Sequence, residues 1–271
     1  MEHQANHQKS HWSPEADFTS IQFFIRRMDT SGYVWSAEVP EAHLPLIGFI
    51  YVASGEVLVE VEGTPFLCQP GQILLIPLQT SFAIKYYRNA VGFTGGFAPE
   101  LLSGSKPLRF LPAPLHQGFW FDEGVFIGEL FNMLERSFRK GDNVFLEKGL
   151  DLLLSRIKPT RQSALPAAVS QFLESVFHPG KIPGTIETYA SETGISGNYL
   201  SRLVKKSTGR SVGAWIDIVR IQRAKRLLSE TRLPIIDIAA TIGIEDQSYF
   251  SRIFKKETGL TPSVFRKKMQ G

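Results

Sequence analysis

The chain has 271 residues, 43% of them hydrophobic and 21% charged, which is enough apolar material for one or two packed domains and too little charge for wholesale disorder. A single cysteine, Cys68, excludes an intrachain disulfide and a cysteine-built structural zinc site, and points to a reducing, cytoplasmic setting. The net charge of +4 hides a division: residues 181–271 carry 16 Lys and Arg against 8 Asp and Glu, the rest of the chain is net acidic, and a polyanionic partner is implied for the basic end alone.

Taken in chain order, residues 1–17 are polar and hold His3, His7 and His11 without an apolar leader core. They read as a disordered tail, with metal capture by the histidines as the lesser alternative. Residues 18 to about 100 read as β-structure, within a first domain taken as 18–122. Val57, Val59 and Val61 alternate with Leu58, Glu60 and Glu62 after a turn at Ser54-Gly55, and Gly63 closes that strand. Pro70-Gly71 marks a second turn before the apolar run Ile73–Ile76. Short strands at this spacing suggest a sandwich or small barrel.

The period changes near Gly124. Phe126, Leu130, Met133, Leu134 and Phe138 fall on one stripe of a helix over Val125–Arg139. Leu146, Leu150, Leu153 and Leu154 form the face of a second helix over Val144–Ile157. Both stripes could cover the barrel, or one could form a seam between two copies, so residues 123–157 are assigned as a helical dimerisation region. Residues 158–166 read as a polar linker, and 167–271 as helical throughout. No run of about eighteen apolar residues occurs, so no transmembrane helix and no membrane partner are expected.

The most informative feature is an internal repeat. Tyr199–Gly209 (YLSRLVKKSTG) recurs as Tyr249–Gly259 (YFSRIFKKETG) at an offset of fifty residues. Gly194-Ile195 matches Gly243-Ile244, while Ser211 and Trp215 match Thr261 and Phe265. Each copy reads helix, turn, helix: Thr185 and Ser196 are expected N-caps, Gly194 and Gly243 the turn residues, and Glu245-Asp246 the start of the last helix. A long helix over Val212–Ser229 should join the copies and fix their separation near one turn of B-DNA, ~34 Å.

On a helical wheel Leu200, Leu203 and Val204 point inward in the first copy, and Tyr249, Phe250, Ile253 and Phe254 in the second. The outer stripes are Asn198, Ser201, Arg202 and Lys205, and Gln247 or Ser248 with Ser251, Arg252 and Lys255. Asn, Gln, Ser and Arg can read base edges in a major groove. Lys205, Lys206, Lys255 and Lys256 stand where phosphates would be met. A solvated polar face is the bland alternative, but it does not account for the same pattern occurring twice on a basic background.

Residues 167–271, and above all Ile238–Gly259 followed by Thr261-Pro262 and Phe265-Arg266, resemble the DNA-binding domain of the AraC/XylS family of bacterial transcription regulators. The resemblance implies base-reading roles for Asn198, Ser201 and Arg202, and for Gln247, Ser248, Ser251 and Arg252. Gly197 departs from it as a poor helix residue near the start of the first reading helix. The resemblance further implies an α+β multidomain chain with a cupin-like sensor barrel in front, a double-stranded DNA partner, a homodimer, a small-molecule effector, contact with RNA polymerase and an activator role. Gln72–Pro77 with Pro70-Gly71, and Phe97–Leu102, resemble stretches of such barrels.

Many cupins bind metal through a His-x-His…Glu cluster. Here His43 is followed by Pro45 and Gly48 at the other positions, and one histidine is not a metal site. No metal and no cofactor are therefore expected, and Trp35, His43, Tyr51 and Tyr87 are the candidate effector-lining residues, each of them equally readable as ordinary core or surface. The rival functions are a metal-dependent cupin enzyme fused to a DNA-binding domain, against which the missing ligands and the lack of any nucleotide or hydrolase motif argue, and an architectural DNA-compacting protein, which would need no sensor.

Overall fold

The computed structural model describes residues 22–29, 34–35, 42–43, 46–78, 80–102, 118–120, 124–156, 158–159 and 165–270. The polar tail at 1–17 and the linker residues 160–164 lie outside these, and at Trp35 and His43 only the backbone is described.

Two long strands organise the front half. β4 (Ile47–Val61) and β7 (Ser81–Phe97) pair antiparallel from Ile47↔Phe97 to Val61↔Phe82. β1 (Phe23–Asp29) adds to the far part of β7, and β2 (Val34–Trp35) and β3 (Ala42–His43) to its near part. β5 (Thr64–Cys68) and β6 (Gln72–Ile76) flank β4, while β8 (Gly118–Trp120) and then β9 (Lys158–Pro159) extend the β6 edge. Among the described residues all pairings are antiparallel. The turn expected at Pro70-Gly71 is present, with Gly71 at a φ of +82°.

The turn expected at Ser54-Gly55 is not a chain reversal. β4 runs through it as a bulge, with register shifts between Val52, Ser54 and Glu56. Gly55 has a φ of +77°, and a Cβ there would lie 2.2 Å from the Asn89 carbonyl oxygen, so only glycine lets the strands stay paired. The bulge also changes the parity of the strand. Ile50 and Val52 before it and Val57, Val59 and Val61 after it share one cluster with Cys68, Leu74, Ile76 and Ala90. The opposite face is thereby divided. Phe49 and Tyr51 join a cluster with α1 (Gly124–Lys140) and α2 (Asn143–Arg156), whereas Leu58 and Tyr86 join a cluster with the C-terminal helices.

α1 and α2 fall where the periodicity places them, but α1 is rotated from the expected stripe. Its buried apolar residues are Ile127, Leu130, Phe131 and Leu134, while Phe126, Met133 and Phe138 are 42%, 45% and 37% exposed. The aromatic faces decide this: the Phe131 ring stacks on Tyr51 at 4.5 Å and on Phe93 at 5.2 Å. Leu146, Leu150, Leu153 and Leu154 are buried against the sheet, each worth about 1.5–3 kcal/mol of burial. Within this one chain the four leucines are already covered.

Seven helices follow: α3 (Ala167–Phe177), α4 (Ile186–Thr193), α5 (Gly197–Thr208), α6 (Val212–Glu230), α7 (Ile235–Thr241), α8 (Gln247–Thr258) and α9 (Pro262–Gln270). They form two cores joined by α6. Val212, Trp215, Ile216, Ile218 and Val219 pack with α3, α4 and α5, and Ile221, Ala224 and Leu228 pack with α7 and α8. Among the described residues no helix is long and apolar enough to cross a membrane.

Candidate nucleic-acid interface

Each of the two outer helices is held by a cap, a turn and a buried face. Thr185 and Thr188 form a reciprocal capping box at the start of α4, and Gly194 ends that helix at a φ of +69°. Ser196 caps α5 by accepting from the Tyr199 amide at 3.3 Å. Asp246 does the same for α8, taking the amides of Ser248 at 2.7 Å and Tyr249 at 3.1 Å. Gly197 does not interrupt α5: it is the first helical residue, where a missing side chain costs little. Inside, Leu200 and Val204 of α5 and Phe250 and Phe254 of α8 are fully buried.

The outward faces match between the copies. Asn198, Arg202, Lys205 and Lys206 on α5, and Gln247, Ser248, Arg252, Lys255 and Lys256 on α8, are exposed, while Ser201 and Ser251 are half-buried beside them. These side chains offer amide, hydroxyl and guanidinium groups along one helix face, followed by ammonium groups one turn later. The Lys205 ammonium donates to the Gly209 carbonyl at 2.8 Å, which ties it to the end of its own helix.

Three features near these helices escape the wheel argument. Arg202 lies over the Tyr199 ring and Arg252 over the Tyr249 ring. Tyr249, read from the sequence as a core residue, also donates its hydroxyl to Asp217 of α6. Burial first, and then the neighbouring Asp217, raise the Tyr249 phenol above its ordinary range, and burial raises the Asp217 carboxyl. Finally, Arg210, in the turn after α5, reaches the sheet. Its Nε donates to Glu56 Oε1 at 2.9 Å, its Nη2 to the same oxygen, and the Tyr86 hydroxyl donates there as well at 3.1 Å. No short-range pattern signals a contact across 154 residues.

By backbone position the candidate effector residues divide between the neighbours of β7 and the middle of β4. Trp35 is paired with Tyr87 in the β2–β7 register, and His43 with Ser81 further along the same strand. Tyr87 packs beside the sheet's inner cluster, but Tyr51 is 1% exposed in the helix-facing cluster, where its ring stacks on Phe131. Among the described residues no three His, Cys, Asp or Glu side chains gather as a metal site would require.

A profile of the helix-turn-helix domain matches residues 189–268, the stretch that contains α5, α6 and α8. This defines the class: the protein is a DNA-binding transcription regulator. Over 263 residues it is 31% identical to the arabinose operon regulatory protein of Escherichia coli K12, covering 91% of this chain and 84% of that one. The transcriptional activator RhaR of the same organism is 32% identical over 121 residues, 43% of each chain. The C-terminal domain of AraT from Geobacillus stearothermophilus is a solved structure with 34% identity, covering 39% of this chain and 88% of that one at a TM-score of 0.36. The chain belongs to the AraC/XylS family of transcription regulators.

Proposed function

We propose that both helix pairs, α4–α5 and α7–α8, act as helix-turn-helix units, and that α5 and α8 enter successive major grooves of one duplex. The observation that carries this is the recurrence, fifty residues apart, of a Ser-Arg-x-x-Lys-Lys pattern whose Arg and Lys side chains are exposed on a helix whose other side is core. Asn198, Ser201, Arg202, Gln247, Ser248, Ser251 and Arg252 read base edges. Lys205, Lys206, Lys255 and Lys256 meet phosphates. The test is selection of bound sequences from a randomised duplex pool by the full chain, followed by titration at several salt concentrations. A two-part site with salt-dependent affinity is expected. Arg202→Ala should lose about 1–3 kcal/mol of discrimination at one base position, whereas Lys256→Ala should weaken all sequences alike. Affinity indifferent to salt overturns the assignment.

The same proposal divides the chain into a tail (1–17), a cupin-like sensor barrel (18–122), a helical dimerisation region (123–157), a linker (158–166) and the DNA-binding domain (167–271). The sensor takes a small organic effector without metal, and similarity to a regulator of the arabinose operon supports this. Trp35, His43 and Tyr87 share β7 and its partners and are the lining retained, while Tyr51 serves packing. The protein works in the cytoplasm as an activator that contacts RNA polymerase, and not as an enzyme. Dimerisation falls to the exposed α1–α2 surface, where Phe126, Met133 and Leu152 are each more than a third exposed. A Phe126→Glu, Met133→Glu variant should run as a monomer in light scattering, and an unchanged mass places the interface elsewhere.

A further inference from the structure

Tyr199 and Tyr249 occupy the same place on α5 and α8, and an arginine three residues on covers each ring. The Arg202 and Arg252 guanidinium carbons lie 6.0 Å and 5.7 Å from the respective centroids. A cation–π contact of this length draws the guanidinium to the ring without using its N–H donors in a hydrogen bond, and those are the donors that bind guanine O6 and N7 as a pair. The arginines are thus alike in their first contact.

The rings beneath them are not alike. Tyr199 is 48% exposed, and among the described residues its hydroxyl has no hydrogen-bond partner. Tyr249 is half-buried against the second core, and its hydroxyl donates to the Asp217 carboxylate at 3.3 Å to Oδ2 and 3.5 Å to Oδ1. Asp217 lies on α6, the helix shared by both cores, so its backbone is fixed relative to α8. At the two repeat offsets of forty-nine and fifty residues, the positions before Asp217 are Ala168 and Ala167 of α3, whose side chains hold no acceptor. The second copy has an anchor that the first lacks.

We infer that Asp217 is a positioning residue for base recognition: it pins Tyr249, the pinned ring holds Arg252, and the half-site met by α8 is read more strictly than the one met by α5. The inference rests on the assignment of α5 and α8 as reading helices. The physical basis is conformational entropy. A free arginine samples many rotamers, which lets it find contacts on several bases and lowers the difference between right and wrong. A ring fixed at both its apolar face and its hydroxyl restricts that sampling before DNA arrives.

The experiment is sequence selection by the full chain from a randomised duplex pool, repeated with Asp217→Ala, Asp217→Asn, Tyr249→Phe, Tyr199→Phe and Arg252→Ala. Arg252→Ala identifies the base position that Arg252 reads. Asp217→Ala and Tyr249→Phe should each lower discrimination there by roughly three- to tenfold, a part of what a complete arginine–guanine pair supplies. The pair combined should do no worse than either alone, because both break one chain of contacts. Asp217→Asn keeps an acceptor oxygen and should retain most of the discrimination, and Tyr199→Phe should alter no position. If Asp217→Ala is poorly folded by thermal melting, Tyr249→Phe carries the test, since it removes one hydroxyl and leaves the ring. Uniform weakening at every position, or unchanged discrimination at the Arg252 position, overturns the positioning role. A profile indifferent to Arg252→Ala itself overturns the base-reading assignment, and the positioning role falls with it.

Discussion

The first and second helix trios of the C-terminal region share a repeat, yet only the first has apolar residues of the sheet in its core; the second meets the sheet through Gln222, whose amide donates to the Lys85 carbonyl at 3.5 Å. The core formed by α3, α4, α5 and the start of α6 includes Leu58 and Tyr86, and the Trp215 and Tyr86 rings meet in a T-shape with centroids 5.3 Å apart. The core formed by the end of α6 with α7 and α8 contains no residue of the sheet. The difference is traceable to single positions. In both copies a threonine closes the helix: Thr208 Oγ1 donates to the Val204 carbonyl and Thr258 Oγ1 to that of Phe254. Two residues later the first copy has Arg210, which reaches Glu56, and the second has Leu260. Positions that repeat build the helices, and positions that do not repeat decide what each trio is attached to.

The largest expected effect tests the matching pair Trp215 and Phe265. Trp215 is fully buried and donates its indole N–H to Thr208 at 2.9 Å, whereas Phe265 is half-buried. Trp215→Ala should cost about 3–5 kcal/mol in chemical denaturation and Phe265→Ala only about 1 kcal/mol. Equal losses would mean that the two trios are energetically alike despite their different attachments.

Next comes the junction with the sheet. Arg210→Ala leaves Glu56 half-buried beside the Tyr86 hydroxyl alone and should cost about 1–3 kcal/mol, with amide exchange quickened most in α3 and β5 and less in α8. Leu260→Ala should leave exchange in the sheet untouched. If both variants loosen the sheet equally, the asymmetry is not carried by this ion pair.

A smaller effect belongs to Lys225, on the half of α6 that faces the second core. Burial lowers its ammonium from the ordinary 10.5 to about 8, against the opposing pull of Glu257. Between those values the unfolded chain keeps a proton that the folded chain has released, so stability should rise as pH climbs from about 8 to about 10.5. Lys225→Met should abolish that rise and raise the melting midpoint at pH 7. A pH-independent wild-type midpoint across this window removes the argument.

The smallest effect is chemical. Burial in the inner cluster of the sheet pushes the Cys68 thiol up to about 12, so it should resist an alkylating reagent in the native protein and react only in denaturant. Prompt native alkylation would show that the sheet opens more readily than either helix trio.

The helical region was legible from its sequence because its information is local. Caps at Thr185, Ser196 and Asp246, glycines at Gly194 and Gly243, and a 3.6-residue period all lie within a few residues of what they determine. The sheet was legible only as a class. At Gly55 a glycine after serine signals either a turn or a bulge, and the choice depends on Asn89 and Arg88 across the strand pair. The α1 stripe was misplaced for a similar reason: Phe126 and Phe131 are equally apolar, and only the Tyr51 and Phe93 rings select Phe131. Of the interface, the outer faces of α5 and α8 were visible from spacing. The Asp217–Tyr249 and Glu56–Arg210 contacts were not, because they join residues 32 and 154 positions apart with no periodic signature.

Helix α6 belongs to both C-terminal cores at once, and this has a consequence for how the region fails. Two modules strung on a flexible tether would melt separately, and damage to one would spare the other. Here the loss of either core strips packing from a single 19-residue helix, about 28 Å long, that the other core also needs. The halves therefore share one fate: they should denature in one transition, a lesion in the Ile238 region should be felt at Trp215, and neither copy of the repeat is free to drift in sequence without regard to its twin.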